Sequence, residues 1–242
     1  MFPNSYYLIL NQLVMKMKFG AIVVDGRGKI GGHVASKNRS GAYLRTKVTP
    51  VNKKSTAQTM VRGRLAGISQ AWRGLSQSLI AAWNAAVSDY SKTDIFGDIK
   101  KPTGFTLFQK LNNNLAQCGI VLMNTPPMPI AVPYVLLPSV AMAGGVSVTL
   151  TFAPTPVPVG TNLIIRATKG MSAGISFVKS EFRTIANLPA ATATGANFTA
   201  AYEAVLGPVP ADGTKVFFEV YFISTVTGQK GAVTQCFAYN LP

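Results

Sequence analysis

Apolar positions follow one spacing in each stretch of this chain. Before residue 50 they alternate with polar or basic side chains between glycines. The run 19–24 is closed by Asp25-Gly26, a tight-turn pair, and predicts a first strand. A second strand is expected over 29–36 and a turn over 37–41. A third is expected over 42–48, where Tyr43, Arg45 and Lys47 alternate with Leu44, Thr46 and Val48. A three-stranded meander this rich in glycine buries little by itself. It is therefore expected either to pair with a neighbouring subunit or to pack on the helices that follow.

From residue 61 the spacing changes to that of a helix. Val61, Leu65, Ile68, Trp72, Leu75, Leu79, Trp83 and Val87 form one stripe at intervals of three and four, with Arg62, Arg64 and Arg73 off it. Ser55 and Gln58 fit a capping box at its start, and Ser76 offers a second N-cap behind Gly74. This predicts one kinked helix or two helices meeting near Gly74. A polar linker is expected over 91–103. A third helix is expected over 105–117, with Phe105, Phe108, Leu111 and Leu115 on one face and Gly119 at its stop.

Five prolines between 124 and 138 forbid a helix and disfavour ladder pairing, so 120–140 reads as an extended linker or edge segment and as a domain boundary. Beyond it, β-type runs recur at 146–152, 162–168, 175–182, 198–205, 215–224 and 232–239. The run 215–224 has the composition of a central strand buried on both sides. Six or seven strands in about 100 residues point to a β-sandwich of the immunoglobulin or fibronectin type. Lacking an inter-sheet cysteine pair and a strand-C tryptophan, it suits the fibronectin-like variant. The expected fold class is α+β: an extension at 1–18, a basic β-arm at 19–54, a helical domain at 55–119, a linker at 120–140 and a sandwich at 141–242.

Charge changes this picture at one end only. The net charge is +15, and residues 16–64 hold twelve Lys/Arg against the single acid Asp25. Such a field favours an anionic partner, either phosphate or an acidic protein face. The candidate interface residues are Arg27, Lys29, Lys37, Arg39, Arg45 and Lys47. Their β-type setting favours a docking arm that adds its strand to a neighbour. Only Tyr43 interleaves with them, so a base-stacking platform is not supported.

The chemistry expected of an enzyme is sparse. One histidine, His33, lies in a glycine-rich basic stretch, and the eight acids are scattered. Gly97 between Asp94 and Asp98 predicts a solvated turn. The segment GRGKIGG at 26–32 lacks the Lys-Ser/Thr ending and following helix of a phosphate-binding loop. Cys118 and Cys236 have no metal-ligand spacing, and an intracellular, reduced setting is the default. No catalytic residue, cofactor, metal or small-molecule substrate is expected. The apolar run 6–10 is too short to span a bilayer and lacks a signal peptide's order, so a soluble protein is expected. Met17 begins a plausible shorter frame. Trp72, Leu75 and Trp83 are expected to anchor the helical core.

Three stretches combine into a recognisable order: GKIGGHVASKNRSGAYLRTKVTPVNKKSTAQ at 28–58, VRGRLAGISQAWRGLSQSLIAAWNAAV at 61–87 and GFTLFQKLNNNL at 104–115. The order resembles a family of tailed-bacteriophage virion proteins, of the sort met in crAss-like and related phages. Arg45, Val48, Pro50 and Asn52 match one element of its pattern, and Thr56, Ala57 and Gln58 match a second. Trp72, Leu75, Trp83 and Asn84 match a third. The resemblance covers 19–119 and implies a structural role in the particle, as a neck or tail ring or head-associated component, with no activity. The implied partners are other copies of the chain and other virion proteins, in a virion assembled in the host cytoplasm. The alternative reading is a sequence-independent nucleic-acid-binding protein associated with the packaged genome, whose contact is with DNA.

Overall fold

The computed structural model describes residues 15–18, 20, 25–39, 41–49, 51–52, 54–143 and 147–240. The expected strand over 19–24 lies almost wholly outside them, as do 1–14 of the expected extension. The chain divides into two compact units, Met1–Ser55 and Thr56–Pro242.

The described residues of the first unit form a four-stranded antiparallel sheet in the order β1-β4-β3-β2, made of β1 (Met15–Met17), β2 (Gly28–Ile30), β3 (His33–Asn38) and β4 (Gly41–Thr46). The single strand expected over 29–36 is instead a hairpin. Gly31 and Gly32 make the two-residue turn, with Gly31 at a φ of +56°, where a side chain is disfavoured. Register places Lys29, Val34 and Arg45 in one cross-strand row. Lys16, Tyr43 and Ser36 form the next row on the same face. The opposite face carries Ala35 and Leu44. Among the described residues of this unit, Ala35 alone is buried.

The second unit begins with α1 (Thr56–Arg73) and α2 (Gln77–Ala85). They break at Gly74, and the Ser76 hydroxyl accepts from the Leu79 N–H as N-cap, so the two-helix alternative is the one adopted. A 3-10 turn (Ala86–Tyr90) follows. The expected linker over 91–103 contains a small hairpin, β5 (Lys92–Thr93) and β6 (Ile99–Lys100). Its turn is organised by Asp94, whose carboxylate accepts from the N–H groups of Phe96 at 2.8 Å and Asp98 at 3.1 Å. Asp94 and Asp98 thus serve a turn, as their glycine spacing suggested, but it is not the solvated one expected: the Asp94 side chain is buried, and Lys100 Nζ lies 3.8 Å from both carboxylates. Next comes α3 (Gly104–Gln117), capped by the Thr103 hydroxyl and stopped at Gly119.

Ile68, Trp83, Val87, Leu107, Phe108 and Leu111 form the helical core, with Trp72 and Leu75 partly buried against it. Trp83 meets Phe108 edge-on at 5.2 Å, and its Nε1 donates to the Asn124 carbonyl at 2.7 Å. Gly104 lies so close to Asn84 that any β-carbon there would collide with the Asn84 amide.

The proline-rich stretch has no ladder to satisfy its backbone, so helix side chains do it. Buried Asn112 donates to the Met123 carbonyl at 3.1 Å and accepts from the Met123 N–H at 2.7 Å. Tyr90 donates to the Pro127 carbonyl at 3.0 Å. The boundary expected at 120–140 therefore does not separate the helices from the sheets; the stretch is pinned along the helices within one unit. Pro138 itself enters β7 (Leu136–Ala143) at a register shift, the kind of irregularity that accommodates a residue with no N–H to donate.

The β-region holds two sheets. One is β11-β8-β7, with β8 at Ser147–Ala153 and β11 at Ala196–Asn197. The other is β10-β9-β12-β13, from β9 (Thr161–Ala167), β10 (Arg183–Leu188), β12 (Lys215–Ser224) and β13 (Thr234–Tyr239). Their facing sides share a core that includes Val148, Leu150, Leu163, Ile165, Phe218 and Phe222. β12 is buried on both sides: alternate residues Tyr221 and Ile223 turn outward to pack with Ile164 and Cys118, the residue after α3. The chain is α+β.

Two expected strands are not strands. Residues 175–182 form an irregular loop whose Val178 and Phe182 cover Phe217. Residues 198–205 fall on α4 (Thr199–Leu206) instead. Phe198, Tyr202 and Leu206 are buried at intervals of four, a helical spacing that outweighs their aromatic and β-branched content.

Candidate functional site

The first unit presents a two-sided sheet. Lys29 and Arg45 share one face with Lys16 and Tyr43, and this is the cluster the structure makes from the six interface candidates. Lys37 belongs to the other face, where it and Arg27 lie 3.9 and 3.6 Å from Asp25. Arg39 is in the turn between β3 and β4, and Lys47 follows β4, its N–H bonded to the Gly32 carbonyl. His33 is exposed at the start of β3.

In the second unit the apolar stripe of α1 continues past its packing partners. Ile68 is buried, whereas Leu65, Val61 and Met60 are 50, 59 and 62% exposed. Arg62 and Arg64 flank them, and the first turn of the helix carries no acid. They leave an exposed apolar stripe bordered by arginine.

Sequence reasoning missed a set of charges on the outer face of the β10-β9-β12-β13 sheet. Arg166 Nη1 donates to both carboxylate oxygens of Glu219, at 3.0 and 3.1 Å, and Nη2 donates to the Phe182 carbonyl. Lys230 Nζ is 3.7 Å from Glu219 and 3.5 Å above the centre of the Tyr221 ring. Burial lowers the pKa of Lys230, against the opposing pull of Glu219. Across the adjoining hollow, Lys110 of α3 is lowered by burial and by Lys92 beside it. The alternation of β12 was the available signal: it puts Glu219 among buried residues, and a buried acid requires a cation.

Burial pushes the Cys118 and Cys236 thiols up to about 11, so both stay protonated at neutral pH. Among the described residues, no three His, Cys, Asp or Glu gather as a metal site. Among them, too, no helix is long and apolar enough to cross a membrane. The chain matches no family model, no curated protein and no solved structure.

Proposed function

We propose that this chain is a non-enzymatic structural subunit of a larger assembly, a tailed-bacteriophage virion protein of the kind its motifs resemble. The observation that carries the proposal lies in the first unit. Among the described residues of its four-stranded sheet Ala35 alone is buried, so the described strands bury less than an independent sheet requires. Such a sheet gains stability by laying its Ala35–Leu44 face or its edge on a neighbour. The exposed half of α1 supplies a second docking surface. Lys16, Lys29 and Arg45 share the opposite face of that sheet and favour an acidic partner there.

The β-region fits the same reading as an immunoglobulin- or fibronectin-like module. Numbered from β7, the first, second and fifth strands share one sheet, and the third, sixth and seventh share the other with the fourth beside them. This is the strand partition of the immunoglobulin sandwich, with one strand moved across.

Hydrogen exchange on the full chain, alone and in purified particles, tests the proposal. Residues 25–49 exchange freely in the isolated chain and become protected on assembly. Full protection of that segment in the monomer would sink it. Tight binding of duplex DNA with a steep salt dependence, abolished by Lys29→Gln/Arg45→Gln, would favour the genome-associated alternative.

A further inference from the structure

Two hollows adjoin on the second unit and share Lys230 and Val233. The larger, about 580 Å³, lies on the outer sheet face between the 176–182 loop and the start of β13, over Arg166 and Glu219, with Lys179 in its lining. The smaller, about 420 Å³, lies toward α3 and β5 and is lined by Lys92, Lys110 and Asp89. Together they collect five cations and two acids, and each volume falls in the range of small-ligand sites.

We propose that this double groove binds a small multivalent anion, one phosphate or carboxylate group in each lobe, with Lys230 between them. The cations come from five different segments of the fold, so their convergence is a tertiary feature and not a solvated run. Arg166 and Lys230 are held in place before any ligand arrives, the first by Glu219 and the Phe182 carbonyl, the second by Glu219 and the Tyr221 ring. Preorganised donors lose little freedom on binding. Lys92 and Lys110 lie side by side in the lining of the second lobe, where the Lys110 pKa is lowered first by burial and then by Lys92, and an anion beside them relieves that repulsion. The concave shape and the apolar wall of Val233 and Phe177, which is 69% exposed, suit a compact ligand better than a nucleic-acid backbone.

Calorimetric titration of the full chain at low ionic strength is the test. Pyrophosphate represents phosphate sources, citrate represents carboxylate sources, and orthophosphate is the one-group comparator. One of the two multivalent probes should bind with one-to-one stoichiometry and about tenfold or more tighter than orthophosphate. Lys92→Gln/Lys110→Gln and, separately, Lys179→Gln should each weaken it by about tenfold. Lys29→Gln/Arg45→Gln, in the first unit, should leave it unchanged, which separates this site from the docking arm. No saturable heat with either probe overturns the proposal. So does equal weakening by the arm variant, or displacement of the bound probe by a short DNA duplex.

Discussion

Gly228, in the turn between β12 and β13, meets the backbone of Leu111 on α3 so closely that a β-carbon at 228 would lie inside contact distance of the Leu111 carbonyl. Beside it, Asn114 Nδ2 donates to the Gly228 carbonyl at 2.7 Å. The φ of Gly228 is +68°, so the position excludes a side chain on two grounds. Helices and sheets are joined here backbone to backbone, which makes the helical region a layer on the outer sheet face.

Gly228→Ala therefore lowers stability by about 2–4 kcal/mol, combining backbone strain with a contact that only a shift of α3 relieves. Urea unfolding measures it. Both tryptophans lie in the helices, so their fluorescence reports that layer alone. Within residues 56–242 of the native chain helices and sheets should unfold in one transition, so the fluorescence change coincides with the main loss of β-sheet circular dichroism. In the variant the fluorescence transition moves first.

Asn112 anchors the proline-rich stretch through two hydrogen bonds to Met123. Asn112→Ala strands both backbone groups and should cost about 2–4 kcal/mol. The segment 123–131 should then become a preferred site of limited proteolysis. An unchanged cleavage pattern would count against its role as the clamp.

The long helices were legible from a spacing repeated several times, their break from Gly74 and the Ser76 cap, and the two-sided burial of β12 from a run of apolar residues; each signal is local. The 198–205 segment was misread because Phe198, Tyr202 and Val205 suggest a strand by type, while the burial interval from Phe198 to Leu206 is helical. The small strands β10 and β11 carry too few apolar positions for a period to emerge. The stretch 120–135 is irregular and leads into the edge strand β7, as its prolines imply, but the domain boundary read into it falls within one unit. Proline density reports the absence of local hydrogen bonding, but Asn112, Trp83 and Tyr90 supply that bonding from distant positions. The cationic groove was hidden in the same way, since Lys92, Lys110, Arg166, Lys179 and Lys230 meet only in the fold.

Glu219 holds two cations at the base of that groove, so removing it leaves both partly buried without a counter-charge. Glu219→Ala should destabilise the chain by about 2–3 kcal/mol, at the lower end for a buried pair because Arg166 retains some solvent. Added salt should recover some of the loss in chemical denaturation. Arg166→Met/Glu219→Leu, which removes the pair together, should cost less than Glu219→Ala alone.

The two thiols give a pH prediction with a definite sign. Their folded values, about 11, stand above the ordinary 9.0, so the folded state holds these protons more tightly than the unfolded chain does. The stability they contribute is complete below pH 9 and is lost as pH rises toward 11. The informative quantity is the difference between the native chain and Cys118→Ala/Cys236→Ala. That variant loses packing at neutral pH and is the less stable there. The gap should narrow between pH 9 and 11, followed by urea midpoints at each pH. A gap that stays constant would mean that burial does not raise either thiol.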